Sequence, residues 1–195
     1  MTYVDPVSHQ VNLADGTIPT AHAVQVRRLA DLRGLFADPQ AEADALAENP
    51  LVYQVYDAAD LPHVDGHLLY STTVIQPGRV GDEFFMTKGH FHERSDRAEL
   101  YYGLSGEGVL LLQTPEGRVE TLPMVAGTAA YVPPHWGHRT VNTGRVPFVF
   151  LAAYPADAGY DYGTIARDGF AGLVLADGDG FRVVPNPRYR RAASP

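Results

Sequence analysis

"TKGHFHERSDRAELYYGLSGEG", Thr87 to Gly108, sets the reading of the whole chain. Its two β-prone runs flank the polar connection "ERSDR", as in a hairpin. Side chains alternate along a strand, so His90 and His92 share one face with Phe91 turned away, and Glu99 and Tyr101 share a face of the next strand. Two buried imidazoles followed by a carboxylate would leave polar atoms without partners. A metal ion satisfies all three groups.

Outward from this hairpin the same pattern repeats. "LVYQVYDA", "HLLYSTTVIQPG", "EFFMTKGHFH", "AAYVPPHWGH", "RTVNTG" and "PFVFLAAYP" are short β-prone runs punctuated by Gly, Pro or Asp. "SGEG" and "TPEG" read as tight turns between antiparallel strands, and no long helices intervene, which excludes doubly wound α/β classes. The fold class expected is all-β, a sandwich or small barrel. The first ~50 residues differ. "AVQVRRLADLRGLFADP" spaces Val26, Leu29, Leu32 and Phe36 near the helical period, and "QAEADALAEN" is rich in helix formers, so residues 1–50 read as an arm with two short helices. Residues 51–188 form the β domain, and residues 189–195 are expected to be a flexible tail.

Composition narrows the partners. With 195 residues the chain holds one domain, and its formal charge of −8 disfavours a nucleic-acid partner, whose recognition needs a broad basic face. There is no Cys, so any metal must be held by His and carboxylate. "MTYVDPVSHQ" lacks a secretory pattern, and "GVLLLQ" and "FVFLAAY" fall short of the ~20 apolar residues of a membrane span, so a soluble cytoplasmic protein is expected.

A fourth ligand candidate lies in "GTAAYVPPHWGHRTVN". Pro133 and Pro134 impose an extended approach, after which His138, Thr140 and Asn142 share one face. Three imidazoles and a carboxylate with open positions suit an octahedral dication such as Fe²⁺, Mn²⁺, Ni²⁺ or Zn²⁺, and the ligands alone do not choose among them. His135 reads as solvent-facing, and His9, His22, His63 and His67 lack mutual spacing.

The ordered series of His90, His92, Glu99, Gly106, Gly127, Pro133, His138 and Asn142 resembles the two motifs of the cupin superfamily, with His90, His92, Glu99 and His138 on its four ligand positions. The gap from His92 to Glu99 is wider than in most cupins. That gap, with "LLLQTPEG", "YVPPHWGHRTVNTG", "FLAAYPADAGYDYGTIARDGF", "VRRLADLRGLF" and "TTVIQPGRVGDEFFMTKGH", closely resembles the cupin-type glucose-6-phosphate isomerases over most of residues 24–188.

The resemblance implies a cupin double-stranded β-helix, or jelly-roll barrel, one divalent metal per subunit with Fe²⁺ first, a homodimer, and interconversion of glucose 6-phosphate and fructose 6-phosphate through a cis-enediol. It implies a place in glycolysis or gluconeogenesis. Glu99 is the expected proton carrier as well as a ligand, although a metal-bound carboxylate is a weak base. Tyr101 and Tyr154 are implied beside the sugar. Tyr160 stands where better-known members carry His, which leaves the second acid–base group open. Thr73, Thr87 and Gly89 are the implied phosphate contacts, with Lys88, the chain's only lysine, and Arg97 as further candidates. Three other readings stand beside this one: an isomerase acting on mannose 6-phosphate, an Fe-dependent dioxygenase on the same ligands, and a non-catalytic sugar-phosphate binder.

Overall fold

The computed structural model describes residues 3–190. In chain order the strands are β1 (Ala23–Arg28), β2 (Leu51–Asp57), β3 (Leu68–Ile75), β4 (Arg79–Val80), β5 (Glu83–Phe84), β6 (Glu99–Ser105), β7 (Glu107–Gln113), β8 (Val119–Val125), β9 (Ala129–Val132), β10 (Gly137–Asn142), β11 (Phe148–Pro155), β12 (Gly172–Asp177) and β13 (Gly180–Pro185). Helices are few and short: a 3-10 turn at Leu29–Leu32, α1 (Pro39–Ala45) and α2 (Tyr162–Asp168).

One wall is a sheet in the order β1-β2-β3-β11-β6-β9. The other is built from the sheets β10-β7-β8 and β13-β12-β5-β4, stitched together by residues 85–91, whose Met86 and His90 bridge to Val141 and His138 of β10. Two facing antiparallel walls of this kind make the all-β jelly-roll barrel expected of a cupin. Leu110, Met124, Phe148 and Ile75 are fully buried in the core, and Phe36, Leu29 and Leu32 close one end of it.

Register fixes what faces inward. Val55, Thr73 and Phe150 lie side by side across β2, β3 and β11, and the neighbouring inward row is Asp57, Ser71, Ala152 and Tyr101. Because inward positions recur every second residue, the cavity wall is a mosaic of residues distant in sequence.

The N-terminal segment departs from the arm expected of residues 1–50. The helices at Leu29–Leu32 and Pro39–Ala45 are present, the latter capped by the Asp38 carboxylate, which accepts from the Gln40 and Ala41 amides at 3.0 Å each. Residues 23–28, however, form a strand paired antiparallel with β2, so the sheet begins before residue 51. Val24 and Val26 share the outer face, and Gln25 and Arg27 line the cavity. The apparent helical spacing at Val26 was a coincidence of two periods.

At the other end, β12 and β13 form a hairpin not foreseen in "AGLVLADGDGFRVVP". Of the expected tail, residues 191–195 lie outside the described residues. Tyr189 and Arg190 are tied down instead: their amides donate to the Asn186 and Asp168 carbonyls at 3.1 and 2.9 Å. Among the described residues no helix is long and apolar enough to cross a membrane.

Candidate metal centre

Three segments deliver the ligands. The stitch at residues 85–91 carries His90 with His92 just beyond it, β6 opens with Glu99, and β10 carries His138. Their ligand atoms all lie within 4.8 Å of one another. Glu99 Oε2 is 3.2 Å from His92 Nε2 and 3.0 Å from His138 Nε2. The His90 ring lies 4.5 Å from that of His138, centroid to centroid.

The hydrogen bonds behind the rings decide which nitrogens face inward. His92 Nδ1 is 2.9 Å from the Arg97 carbonyl and His138 Nδ1 is 3.3 Å from that of Trp136. A carbonyl can only accept, so both Nδ1 atoms carry the proton and a neutral ring then presents an Nε2 lone pair to the Glu99 carboxylate. Lone pairs facing an anion repel unless a ring takes up a second proton, the state in which these contacts lower Glu99 and raise His92. The buried Nε2 atoms of His90 and His138 have no hydrogen-bond partner. A dication among these atoms removes both problems, and the carbonyl contacts are the supporting shell that metal-bound histidines use.

Electrostatics agree with a ligand set. Burial, with His138 alongside, holds His90 well below the usual imidazole range and therefore neutral. Burial also opposes charge on His92, but the Glu99 carboxylate and Arg97 carbonyl outweigh it and move His92 upward. Burial opposes ionisation of Glu99 too, yet the His138 and His92 contacts win and bring its pKa down to about 2. Glu99 is thus an anion at neutral pH.

The centre forms the floor of a cavity of about 400 Å³, within the size range of small-molecule sites. Tyr101, Tyr154, Tyr160, Thr73, Thr87, Lys88 and Gly89 all line it, together with His90, Glu99 and His138. Tyr101 is buried with its ring 5.7 Å from His138 and 5.0 Å from Phe150. The Tyr160 hydroxyl donates to that of Tyr154 at 2.7 Å, and the Tyr160 ring stands 5.0 Å from His90. Burial pushes Tyr154 up to about 12, and burial with the adjacent Tyr154 raises Tyr160 further.

Thr87 pairs with Thr140 in both directions: its amide donates to the Thr140 carbonyl at 2.9 Å and its hydroxyl oxygen accepts from the Thr140 amide at 3.1 Å. Its O–H remains available to a ligand. Gly89 adopts φ +72°, and a Cβ there would meet Phe170, Arg139 and the His138 carbonyl at 2.7, 2.8 and 2.9 Å. Only glycine permits that close approach.

Arg97 is not brought to the cavity. Its Nε and Nη2 clamp the two oxygens of Asp157 at 2.9 and 2.7 Å, and Nη2 also reaches Asp65 at 3.1 Å. Its guanidinium fastens the 93–98 loop, while its backbone carbonyl orients His92.

Sequence reasoning missed other wall residues, namely Gln25, Arg27, Tyr53, Asp57 and Tyr162. The alternation in "VQVR" was the available signal for the first two. Arg27 donates to the Gln25 side chain at 2.9 Å and makes no ion pair among the described residues. It is therefore a second cation, beside Lys88, in the wall of an otherwise neutral or acidic cavity.

A family model described as glucose-6-phosphate isomerase matches residues 26–189. The glucose-6-phosphate isomerase of Thermococcus kodakarensis is 53% identical over 190 residues, covering 97% of this chain and 100% of its own length. That of Pyrococcus furiosus is 50% identical with the same coverage of both, and that of Sinorhizobium medicae 41% identical over 96% of this chain and 89% of its own length. A solved structure of Bacillus subtilis oxalate decarboxylase aligns at 25% identity over 56% of this chain and 27% of its own, with a TM-score of 0.43.

Proposed function

The chain belongs to the glucose-6-phosphate isomerase family, and we propose that it interconverts glucose 6-phosphate and fructose 6-phosphate using one divalent cation held by His90, His92, Glu99 and His138. The observation that carries this reading is the convergence of those four ligand atoms, the His90 nitrogen without any partner, on the floor of a polar cavity of about 400 Å³. Fe²⁺ is our first assignment among the octahedral dications. Bound there, a dication supplies Lewis-acid polarisation of the sugar's carbonyl.

The chain's own residues carry the rest. Glu99 Oε2 faces His92 and His138, which leaves Oε1 to take the C2 proton of the aldose and return it to C1, through a cis-enediol. Tyr154 receives the hydrogen bond of Tyr160 and also meets the Ser71 side chain, and its O–H donates to a sugar oxygen. Tyr101 closes the cavity beside His138 and excludes water. At the far end the Thr87 hydroxyl, the Thr73 hydroxyl and the Gly89 backbone hold the phosphate, with Lys88 and Arg27 supplying positive charge.

We assign a homodimer and a cytoplasmic location to this enzyme. The outward face of β6 and β9 supports the first: Leu100, Tyr102 and Tyr131 are 45, 42 and 59% exposed, and Leu100 is directly paired with Tyr131. An apolar patch of this kind is normally covered.

The test is reconstitution. Chelator-stripped protein should be inactive, and one equivalent of a single dication should restore conversion of fructose 6-phosphate. Full activity in metal-free protein would overturn the assignment. Glucose 6-phosphate deuterated at C2 should lose an appreciable part of its label to solvent during turnover, and complete retention would count against the enediol route.

A further inference from the structure

His138 faces the metal centre, and its neighbour Arg139 points to the opposite face of β10, where it is 3% exposed. Its Nη2 donates to the Lys88 carbonyl at 2.7 Å, its Nη1 reaches only the Met86 sulfur at 3.0 Å, and its Nε has no partner. The guanidinium stacks 4.3 Å above the Phe170 ring. No carboxylate of the described residues is within ion-pair distance. As a guanidinium it is a cation at neutral pH. A buried charge without a contacting counter-ion is costly.

Arg139 opens onto a cavity of about 640 Å³, walled by residues 34–37, the C-terminal end of α2 and residues 186–190. This cavity shares no lining residue with the metal-floored one. Its walls carry Arg139, Arg167, Arg188 and Arg190 against a single carboxylate, Asp168. Arg167 already holds that carboxylate in a two-point clamp at 2.8 and 2.7 Å. Arg188 spends one N–H on the Phe36 carbonyl at 2.8 Å, and Arg190 makes no ion pair among the described residues. The nearby buried Glu83 attracts Arg139 from a distance, but burial moves its pKa upward and its Oε2 accepts from the Ala37 amide at 2.8 Å. The negative end of α2 subtracts from the field. Three guanidiniums without a paired carboxylate still converge on one polar hollow.

We propose that this hollow is a second anion site, which binds a multivalent oxyanion such as the phosphate group of a small metabolite between Arg139, Arg188 and Arg190. Planar guanidinium forks match oxyanions in two-point contacts. The bound anion supplies a contacting counter-charge to Arg139, while Asn186, whose Nδ2 donates to the Phe170 carbonyl and whose Oδ1 accepts from the Arg188 amide, fixes the segment that carries Arg188.

Calorimetric titration of inorganic phosphate into metal-stripped full-length protein at constant ionic strength tests this. The wild type should show two classes of site, one displaced by fructose 6-phosphate. R188A/R190A changes two exposed side chains and should weaken the other class at least tenfold, with an unchanged far-UV spectrum, while R188K/R190K restores part of the affinity. Identical isotherms for wild type and R188A/R190A overturn the proposal. Were the isomerase assignment wrong instead, fructose 6-phosphate would displace nothing and R188A/R190A would still remove one class. Should the double variant fail to fold, wild-type crystals soaked in selenate decide: anomalous density between Arg139 and Arg188 is expected, and its absence overturns the site.

Discussion

His92 Nδ1 donates to the carbonyl of Arg97, five residues further on, across 2.9 Å. The long connection between the second and third candidate ligands is therefore part of the candidate metal centre. It returns to His92 and locks the tautomer that leaves Nε2 free for metal, while the Arg97 side chain anchors the same loop to Asp157 and Asp65.

Replacing Arg97 should then act on metal, not on phosphate. R97A loosens the loop, and metal affinity is expected to fall about tenfold, the low end for loss of such supporting contacts. The KM for hexose phosphate in metal-saturated protein should change less than about threefold, too little for the loss of a direct charged contact of ~1.5–3 kcal/mol. Competition against a chelating dye gives the first number and steady-state kinetics the second. A rise in KM of two orders with intact metal affinity would place the guanidinium on the substrate.

Gly89 joins backbone conformation to the phosphate end of the cavity. Gly89→Ala forces an L-residue into φ +72° and drives a methyl into Phe170, Arg139 and the His138 carbonyl. A loss of about 2–3 kcal/mol is expected from strain and overpacking together. Gly34→Ala separates the two effects, because Gly34 also has φ +83° but no atom lies within 4 Å of its would-be Cβ. It should lose only about 1 kcal/mol. Urea denaturation of both variants measures the difference, and Gly89→Ala alone should raise KM.

Tyr160 supports Tyr154 through a single hydroxyl. Tyr160→Phe should leave the thermal midpoint within about 4 °C, since the stacked ring is retained and a net hydrogen bond contributes about 1 kcal/mol. Turnover should fall several-fold. Both hydroxyls are held above their ordinary values, Tyr154 at about 12, so neither ionises between pH 6 and 9. The wild-type rate should accordingly show no alkaline inflection from a phenol in that window.

Acid should destabilise the metal-free protein through two groups of the same sign. Glu99 is lowered in the fold, so its contribution is present above its unfolded pKa, near the ordinary 4.5, and is lost as pH falls toward about 2. His90 is lowered from the ordinary 6.5, so its burial as a neutral ring becomes unfavourable below that pH. His92 is raised and opposes this trend, its contribution being present below 6.5 and lost as pH rises through its folded pKa. Thermal scans of apoprotein should show the midpoint falling between pH 6.5 and 3, and Glu99→Gln should flatten the lower part of that curve.

The metal centre was legible because its ligands declare themselves locally. His90 and His92 share a strand face by simple alternation, and Glu99 begins the partner strand after one polar loop. His138 was legible through the two prolines that precede its strand. The cavity walls were harder to read. Asp57 enters through its register with Ser71, and Tyr162 through the position of α2, neither of which leaves a local trace. β1 was misread because Val26, Leu29 and Leu32 straddle the junction of a strand and a 3-10 turn, so their spacing mixes two periods. β12 and β13 escaped because no β-prone run was recognised after "PFVFLAAYP", although "LADGDGF" is the turn of a hairpin that extends the sheet beside β5.

That first strand changes what counts as the smallest working unit. A barrel cut to begin at Leu51 would keep all four candidate ligand side chains, yet it would lose Gln25 and Arg27 and leave the vessel open along one side. Such a fragment could capture a metal while letting water flood the place where a sugar must be gripped, so metal uptake alone would be a misleading guide to where a minimal catalyst starts.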